Sequence, residues 1–139
     1  MRSISNGRYG YKLVPQLNDE VVLIGHSLGG IFLTKYLSEN KFPKKIMGTF
    51  LVAAPYDAAD SSYSLGDFVL PKSLDMLVKQ GGQITLYQSS DDHIVDVSDF
   101  ERYVKAMPSA RAVLFKDKGH FMIMEFPEIV KDIEDVFGT

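Results

Sequence analysis

Residues 20–32 read Glu20-Val21-Val22-Leu23-Ile24-Gly25-His26-Ser27-Leu28-Gly29-Gly30-Ile31-Phe32, and this run decides the fold. Glu20–Ile24 is a short, nearly continuous apolar stretch rich in β-branched side chains. Such stretches mark a strand buried on both faces, as in a parallel sheet covered by helices. Past the glycines the period changes. Apolar Leu28, Ile31, Phe32, Lys35/Tyr36 and Leu37 follow helical spacing as far as Glu39, and Pro43 closes the segment. A strand therefore passes into a helix through a turn that holds a serine between glycines.

The same alternation continues outward. Lys45–Ala53 predicts a second strand ended by Pro55, Ile84–Gln88 a third followed by the polar turn Ser89–Asp92, and Ala112–Phe115 a fourth. Between and after them lie three predicted helices: Lys72–Gln80, stopped by Gly81-Gly82; Ser98–Met107, ended by Pro108; and Pro127–Phe137, with proline in its first turn. Residues 1–18 read as a loop-rich N-terminal segment with one short strand around Tyr9–Val14. Residues 56–70, rich in Asp, Ser, Ala and Gly, read as a short lid-like loop. Strands alternating with helices imply right-handed crossovers. The expected fold is α/β: a compact three-layer sandwich, one domain over residues 1–139, with a mainly parallel sheet of about four to five strands. Ligands bind such sheets beyond the carboxyl ends of the strands.

Composition narrows the function. The 139 residues are 45% hydrophobic and 24% charged, which are globular averages. A net charge of -3, with acids and bases spread along the chain, excludes a basic stripe for nucleic acid and a polybasic membrane anchor. The absence of cysteine excludes disulfides, thiolate zinc sites and a cysteine nucleophile. Met1–Gly10 has no apolar core of a signal peptide. No apolar run approaches the ~20 residues that span a bilayer. The expectation is a soluble cytoplasmic protein with neither nucleic acid nor membrane as partner. With no phosphate-binding glycine loop and no metal-ligand cluster, no cofactor and no metal are expected.

Gly25-His26-Ser27-Leu28-Gly29 has the form G-x-S-x-G. It resembles the nucleophile elbow of the α/β-hydrolase family, a sharp strand-to-helix turn that forces the serine into a strained backbone conformation. Side chains two positions either way would collide, which Gly25 and Gly29 avoid. The turn presents Ser27 Oγ at the mouth of the sheet, and the Leu28 N–H can serve as one oxyanion donor. Serine needs a base to take its proton and a carboxylate to orient that base. Lys118-Gly119-His120-Phe121 resembles the loop that carries the family's general base, which selects His120. His26, inside the elbow, is not expected to reach Ser27 productively, and His93 reads as an exposed bystander. Ser90-Asp91-Asp92-His93-Ile94-Val95 resembles the family's acid followed by Ile/Val-Val. That alignment selects Asp92. Asp91 stays the alternative, otherwise a solvated neighbour or cap partner, because Asp96 stands where the family usually has proline. The order Ser27, Asp92, His120 is the order of that family.

The resemblance covers residues 19–139, the C-terminal half of the family fold, and so implies a minimal α/β-hydrolase. The family's second oxyanion donor comes from a loop before the elbow, for which Ser5–Gly10 is the candidate here. In the full fold the elbow strand pairs with a strand not seen in this sequence, so Glu20–Gly25 would present an open edge; a homo-oligomer, at least a dimer, is expected, with closure by the chain's own N-terminal strand as the alternative. Pocket walls are expected from Ala54-Pro55-Tyr56, from the 57–70 loop with Tyr63, Leu65 and Phe68, and from Phe121-Met122, with ordinary core packing as the alternative for each. A shallow pocket suits short-acyl esters. The resemblance thus implies a serine carboxylesterase acting on a small-molecule ester. The alternatives are a thioesterase, lactonase or amidase with the same triad, or a catalytically silent binding module.

Overall fold

The structure, a computed structural model, describes residues 18–56 and 69–138. Among them are four strands, β1 (Glu20–His26), β2 (Lys45–Val52), β3 (Gln83–Ser89) and β4 (Arg111–Phe115). Four helices accompany them: α1 (Leu28–Glu39), α2 (Asp75–Gln80), α3 (Val97–Ala106) and α4 (Pro127–Val136). The strands form one sheet in the order β1-β2-β3-β4, every neighbouring pair parallel. The expected α/β sandwich is present. The strand expected near Tyr9–Val14 lies outside the described residues, as does most of the 56–70 loop.

Strand order determines the layering. When successive parallel strands step in one direction, right-handed crossovers place every connecting helix on the same face. Leu33 and Leu37 of α1, Leu77 of α2 and Tyr103 of α3 accordingly share one core with Val21, Leu23, Ile46, Leu51, Ile84 and Leu86. No strand follows α4 among the described residues, so it is no crossover and can turn back across the opposite face. There Ile129 and Ile133 pack with Phe50, Val52 and Tyr87. One helix covers less sheet than three. On β1, Val21 and Leu23 are buried, while Val22 and Ile24 on the α4 side remain half-buried.

Element ends depart from the sequence expectation by one to three residues, for local reasons. Strand β1 continues through Gly25 and His26, which pair with Leu51 and Val52. Helix α2 begins at Asp75 rather than Lys72, because the Ser73 hydroxyl accepts the Asp75 N–H and turns the chain first. Helix α3 begins at Val97 because the Asp96 carboxylate caps it, accepting from the Ser98 N–H at 2.9 Å.

Two amides, half-buried Gln80 and buried Gln88, tie connections to the layers. Gln80 Nε2 donates to the carbonyls of Leu37 and Asn40, and Gln80 Oε1 accepts the Phe42 N–H. This supplies a partner for the Leu37 carbonyl, in the last turn of α1 where carbonyls have none within the helix, and for that of the C-cap Asn40. Gln88 donates to Val95 O and accepts from Ser89 N, which shapes the turn after β3. None of the described helices is long and apolar enough to cross a membrane.

Candidate active site

Ser27 sits where β1 becomes α1, with φ 55° and ψ −119°. A non-glycine residue in that region carries strain of about 1–3 kcal/mol and persists only where its surroundings enforce it. Here the enforcement is hydrogen bonding on both sides of the residue. Ser27 N–H donates to Val52 O at 2.9 Å, and Ser27 O accepts from Gly30 N at 2.9 Å and Ile31 N at 3.4 Å. A Cβ on Gly25 would lie 2.5 Å from Gly29 O and 2.7 Å from Gly30 Cα, so the turn closes only over glycine. The expectation for Gly29 needs correcting. A Cβ there would meet nothing within 4 Å, whereas one on Gly30 would stand 2.5 Å from Ala54 Cβ. The second indispensable glycine is Gly30, because α1 crosses the end of β2 at that residue.

His120 lies in the loop after β4, between two residues of positive φ, Gly119 at 55° and Phe121 at 58°. Its Nε2 is 3.0 Å from Ser27 Oγ and its Nδ1 is 2.8 Å from Asp92 Oδ2. A carboxylate can only accept, so Nδ1 carries the proton and Nε2 is left to accept from the serine hydroxyl. The other Asp92 oxygen accepts the N–H groups of Ile94 at 2.8 Å and Val95 at 2.9 Å. These bonds fix the carboxylate from behind. The Asp92 side chain is wholly buried, and that of His120 nearly so. The pair therefore interacts away from bulk water, where its geometry is preserved.

Of the two adjacent acids, Asp92 reaches the histidine. Asp91 is neither a cap partner nor a merely solvated neighbour. Its Oδ1 accepts from Ser89 Oγ at 2.6 Å and from Gly119 N–H at 2.9 Å, and Ser89 Oγ accepts the Lys118 N–H at 3.0 Å. The Ser89 hydroxyl first, and then the Gly119 N–H, hold the Asp91 carboxyl below the usual carboxylate range. His26 also takes part. Its Nε2 lies 2.7 Å from His120 O. A period-2 reading of β1 sets His26 with Val22 and Ile24 on the α4 side, and that signal could have found it. His93 is exposed.

The expected pocket residues divide. Leu28 opens α1, where first-turn N–H groups have no acceptor within the helix, and its side chain is exposed. Phe121 is buried, its ring among those of Phe115 and Phe126, so it packs the core beneath the His120 loop and does not wall a pocket. Positive φ at Phe121 turns it inward and leaves Met122 exposed instead. Tyr56 is half-buried, its ring meeting the edge of Tyr103 at 4.8 Å and its N–H donating to Asp99. Phe68 and the Ser5–Gly10 segment lie outside the described residues. Among the described residues no group of His, Asp and Glu side chains could hold a metal ion.

A parallel sheet, a strained serine at a strand-to-helix turn and a histidine–aspartate pair behind it define an α/β hydrolase. The family model of the serine hydrolases matches residues 12–128, and the chain belongs to that family. No curated protein matches significantly. Among solved structures, the ydeN gene product of B. subtilis superimposes with a TM-score of 0.80 at 18% identity, over 93% of this chain and 72% of that one. MGS-M1, an α/β hydrolase enzyme from a Medee basin deep-sea metagenome library, gives 0.64 at 16% identity, covering 93% and 62% of the two chains. A structure from work on carboxylesterases of the ammonia-oxidizing Thaumarchaeon Nitrososphaera gargenis gives 0.62 at 16%, covering 91% and 68%. The chain thus spans roughly two-thirds of the length of these neighbours, and at such identities they share its fold alone.

Proposed function

We propose that this serine hydrolase is a carboxylesterase that cleaves small, short-acyl esters through an acyl-serine intermediate. One observation carries the reading: the unbroken line from Ser27 Oγ to His120 Nε2, at 3.0 Å, and from His120 Nδ1 to Asp92 Oδ2, at 2.8 Å. His120 Nε2 takes the hydroxyl proton as Ser27 Oγ bonds to the ester carbonyl carbon. Asp92 remains ionised and stabilises the imidazolium so formed. The Leu28 N–H, at the positive end of α1, stabilises the oxyanion, a contact worth on the order of 3 kcal/mol in such sites. Collapse breaks the carbon–oxygen bond to the alcohol, which leaves with the proton from His120. Water then attacks the acyl-serine, giving its proton to His120, and the acid is released as Ser27 recovers its hydrogen.

The test is hydrolysis of p-nitrophenyl acetate and butyrate by the protein beside its Ser27→Ala variant. Turnover that falls at least about a thousandfold in the variant supports the reading. Equal inertness of both proteins sinks it for short-acyl esters, and covalent labelling by a fluorophosphonate then separates another serine hydrolase specificity from a silent binding module.

We also propose that the chain self-associates along β1, which among the described residues pairs on one side only, with β2. A parallel edge with no second partner among the described residues, beside half-buried Val22 and Ile24, is a template for pairing. Sedimentation that gives a monomer at micromolar concentration removes this proposal.

A further inference from the structure

His26 precedes the nucleophile yet plays no part in the steps above. Side chains alternate along β1, so His26 faces the α4 side with Val22 and Ile24, the side on which the loop bearing His120 returns. Its Nε2 meets His120 O at 2.7 Å, with the two rings 5.0 Å apart and tilted by 41°. A carbonyl oxygen only accepts, so the contact requires that His26 Nε2 carry a hydrogen.

The loop is gripped on its other flank by Asp91 and Ser89, through the N–H groups of Gly119 and Lys118. These bonds hold the chain before His120, and the Phe121 N–H bond to Lys118 O, at 3.0 Å, closes the turn behind it. The peptide of His120 itself, between two residues of positive φ, is met by His26. Asp92 fixes one end of the imidazole and leaves the ring free to swing about that bond if the backbone shifts. A backbone hold is then what aims Nε2.

We propose that His26 is a positioning residue: its Nε2–H holds the His120 carbonyl and thereby keeps the His120 imidazole aligned with Ser27 Oγ. The inference rests on the triad reading. Small misplacement of a catalytic group lowers rate steeply, while substrate binding made elsewhere is untouched. The signature is therefore a loss in kcat with KM preserved.

The experiment compares wild type, His26→Ala and His26→Gln with p-nitrophenyl butyrate, and follows the imidazole protons by NMR on histidine-labelled protein. Glutamine is chosen because its amide N–H extends about as far from the backbone as Nε2. His26→Ala is expected to lower kcat about tenfold, equivalent to about 1.4 kcal/mol, with KM within about twofold. The Nδ1–H signal of His120, expected to be sharp in wild type, should broaden in His26→Ala through exchange with water, and His26→Gln should restore both the signal and most of kcat. An alanine variant with unchanged kcat and an unchanged signal overturns the proposal. So does a glutamine variant as impaired as alanine, since side-chain bulk and not the donated hydrogen would then matter. The NMR readout needs no turnover. Should wild type prove as inert as Ser27→Ala, the ester reading fails while the spectrum still decides whether His26 holds His120.

Discussion

Asp91 Oδ1 accepts the Gly119 N–H at 2.9 Å, so the acid beside Asp92 grips the backbone beside His120. Two consecutive carboxylates from the turn after β3 thus engage the loop after β4 in different ways. Asp92 meets the imidazole, and Asp91 meets the peptide next to it. Their carboxylates diverge because Asp92 is turned inward by the N–H groups of Ile94 and Val95.

Removing the two acids should therefore give effects of different size. Asp92→Asn is expected to lower kcat by about 10³–10⁴-fold, because an amide no longer dictates which imidazole nitrogen bears the hydrogen. Asp91→Ala should lower it by only about tenfold, through a looser loop, and Asp91→Asn by less, since its amide oxygen can still accept. Steady-state kinetics on p-nitrophenyl butyrate measure all three. Comparable losses at both positions would refute the division of roles.

Backbone strain at Ser27 makes a prediction about stability. With φ 55° and ψ −119°, the position suits glycine better than any residue bearing a Cβ. Ser27→Gly should unfold at higher urea concentration than Ser27→Ala, the difference amounting to about 1–2 kcal/mol, while both variants lose activity. Equal midpoints would mean that the turn is not strained.

The adjacent glycines should behave in opposite ways. Gly29→Ala meets nothing and adds helix propensity, so it should be neutral or stabilise by up to about 1 kcal/mol. Gly30→Ala, driven against Ala54 Cβ, should destabilise by about 1–3 kcal/mol. Ala54→Gly in the same chain should recover much of that loss, and a double-mutant cycle by urea denaturation reads the coupling. Additive effects would show that the two residues do not collide.

A pH dependence follows from the ion pair that seats α4. Asp132 Oδ2 accepts from the buried Tyr87 hydroxyl and from Arg111 at 2.7 Å. Burial works against the Asp132 charge, but the Tyr87 hydroxyl and the Arg111 guanidinium outweigh it and hold the carboxyl below its ordinary value of 3.8. A depressed carboxylate contributes stability that is fully present above its unfolded-state value and is lost as pH falls through the lower folded value. The melting-temperature gap between wild type and Asp132→Asn should thus be flat from neutral pH to about 5 and shrink in stronger acid. A gap unchanged down to pH 2 would contradict the assignment.

The elements were legible because their signals are local. The apolar run Glu20–Ile24, the helical period from Leu28, and the prolines at 43, 55, 108 and 127 each act over a few residues. They mark strands and helices whatever the rest of the chain does. Ser27 and His120 were legible through short local motifs, Gly25–Gly29 and Lys118–Phe121, by their resemblance to the α/β-hydrolase elbow and base loop. Helix α2 starts three residues later than its sequence pattern implies because one hydroxyl, that of Ser73, competes with the helix for an N–H.

Long-range geometry decided the remainder. Whether Asp91 or Asp92 faces His120 depends on how the turn after β3 sits against a loop 28 residues further on, and spacing in sequence carries no such angle. Which glycine must lack a side chain depends on where α1 crosses β2, and the crossing selects Gly30. Phe121 went to the core because its own positive φ turned it inward among Phe115 and Phe126. The sequence by itself determined a parallel α/β sheet, since period and punctuation are properties of the chain, and its motifs singled out Ser27 and His120 by family resemblance. Only the tertiary structure decided which neighbours aim those side chains, since direction between distant segments exists only once they are packed.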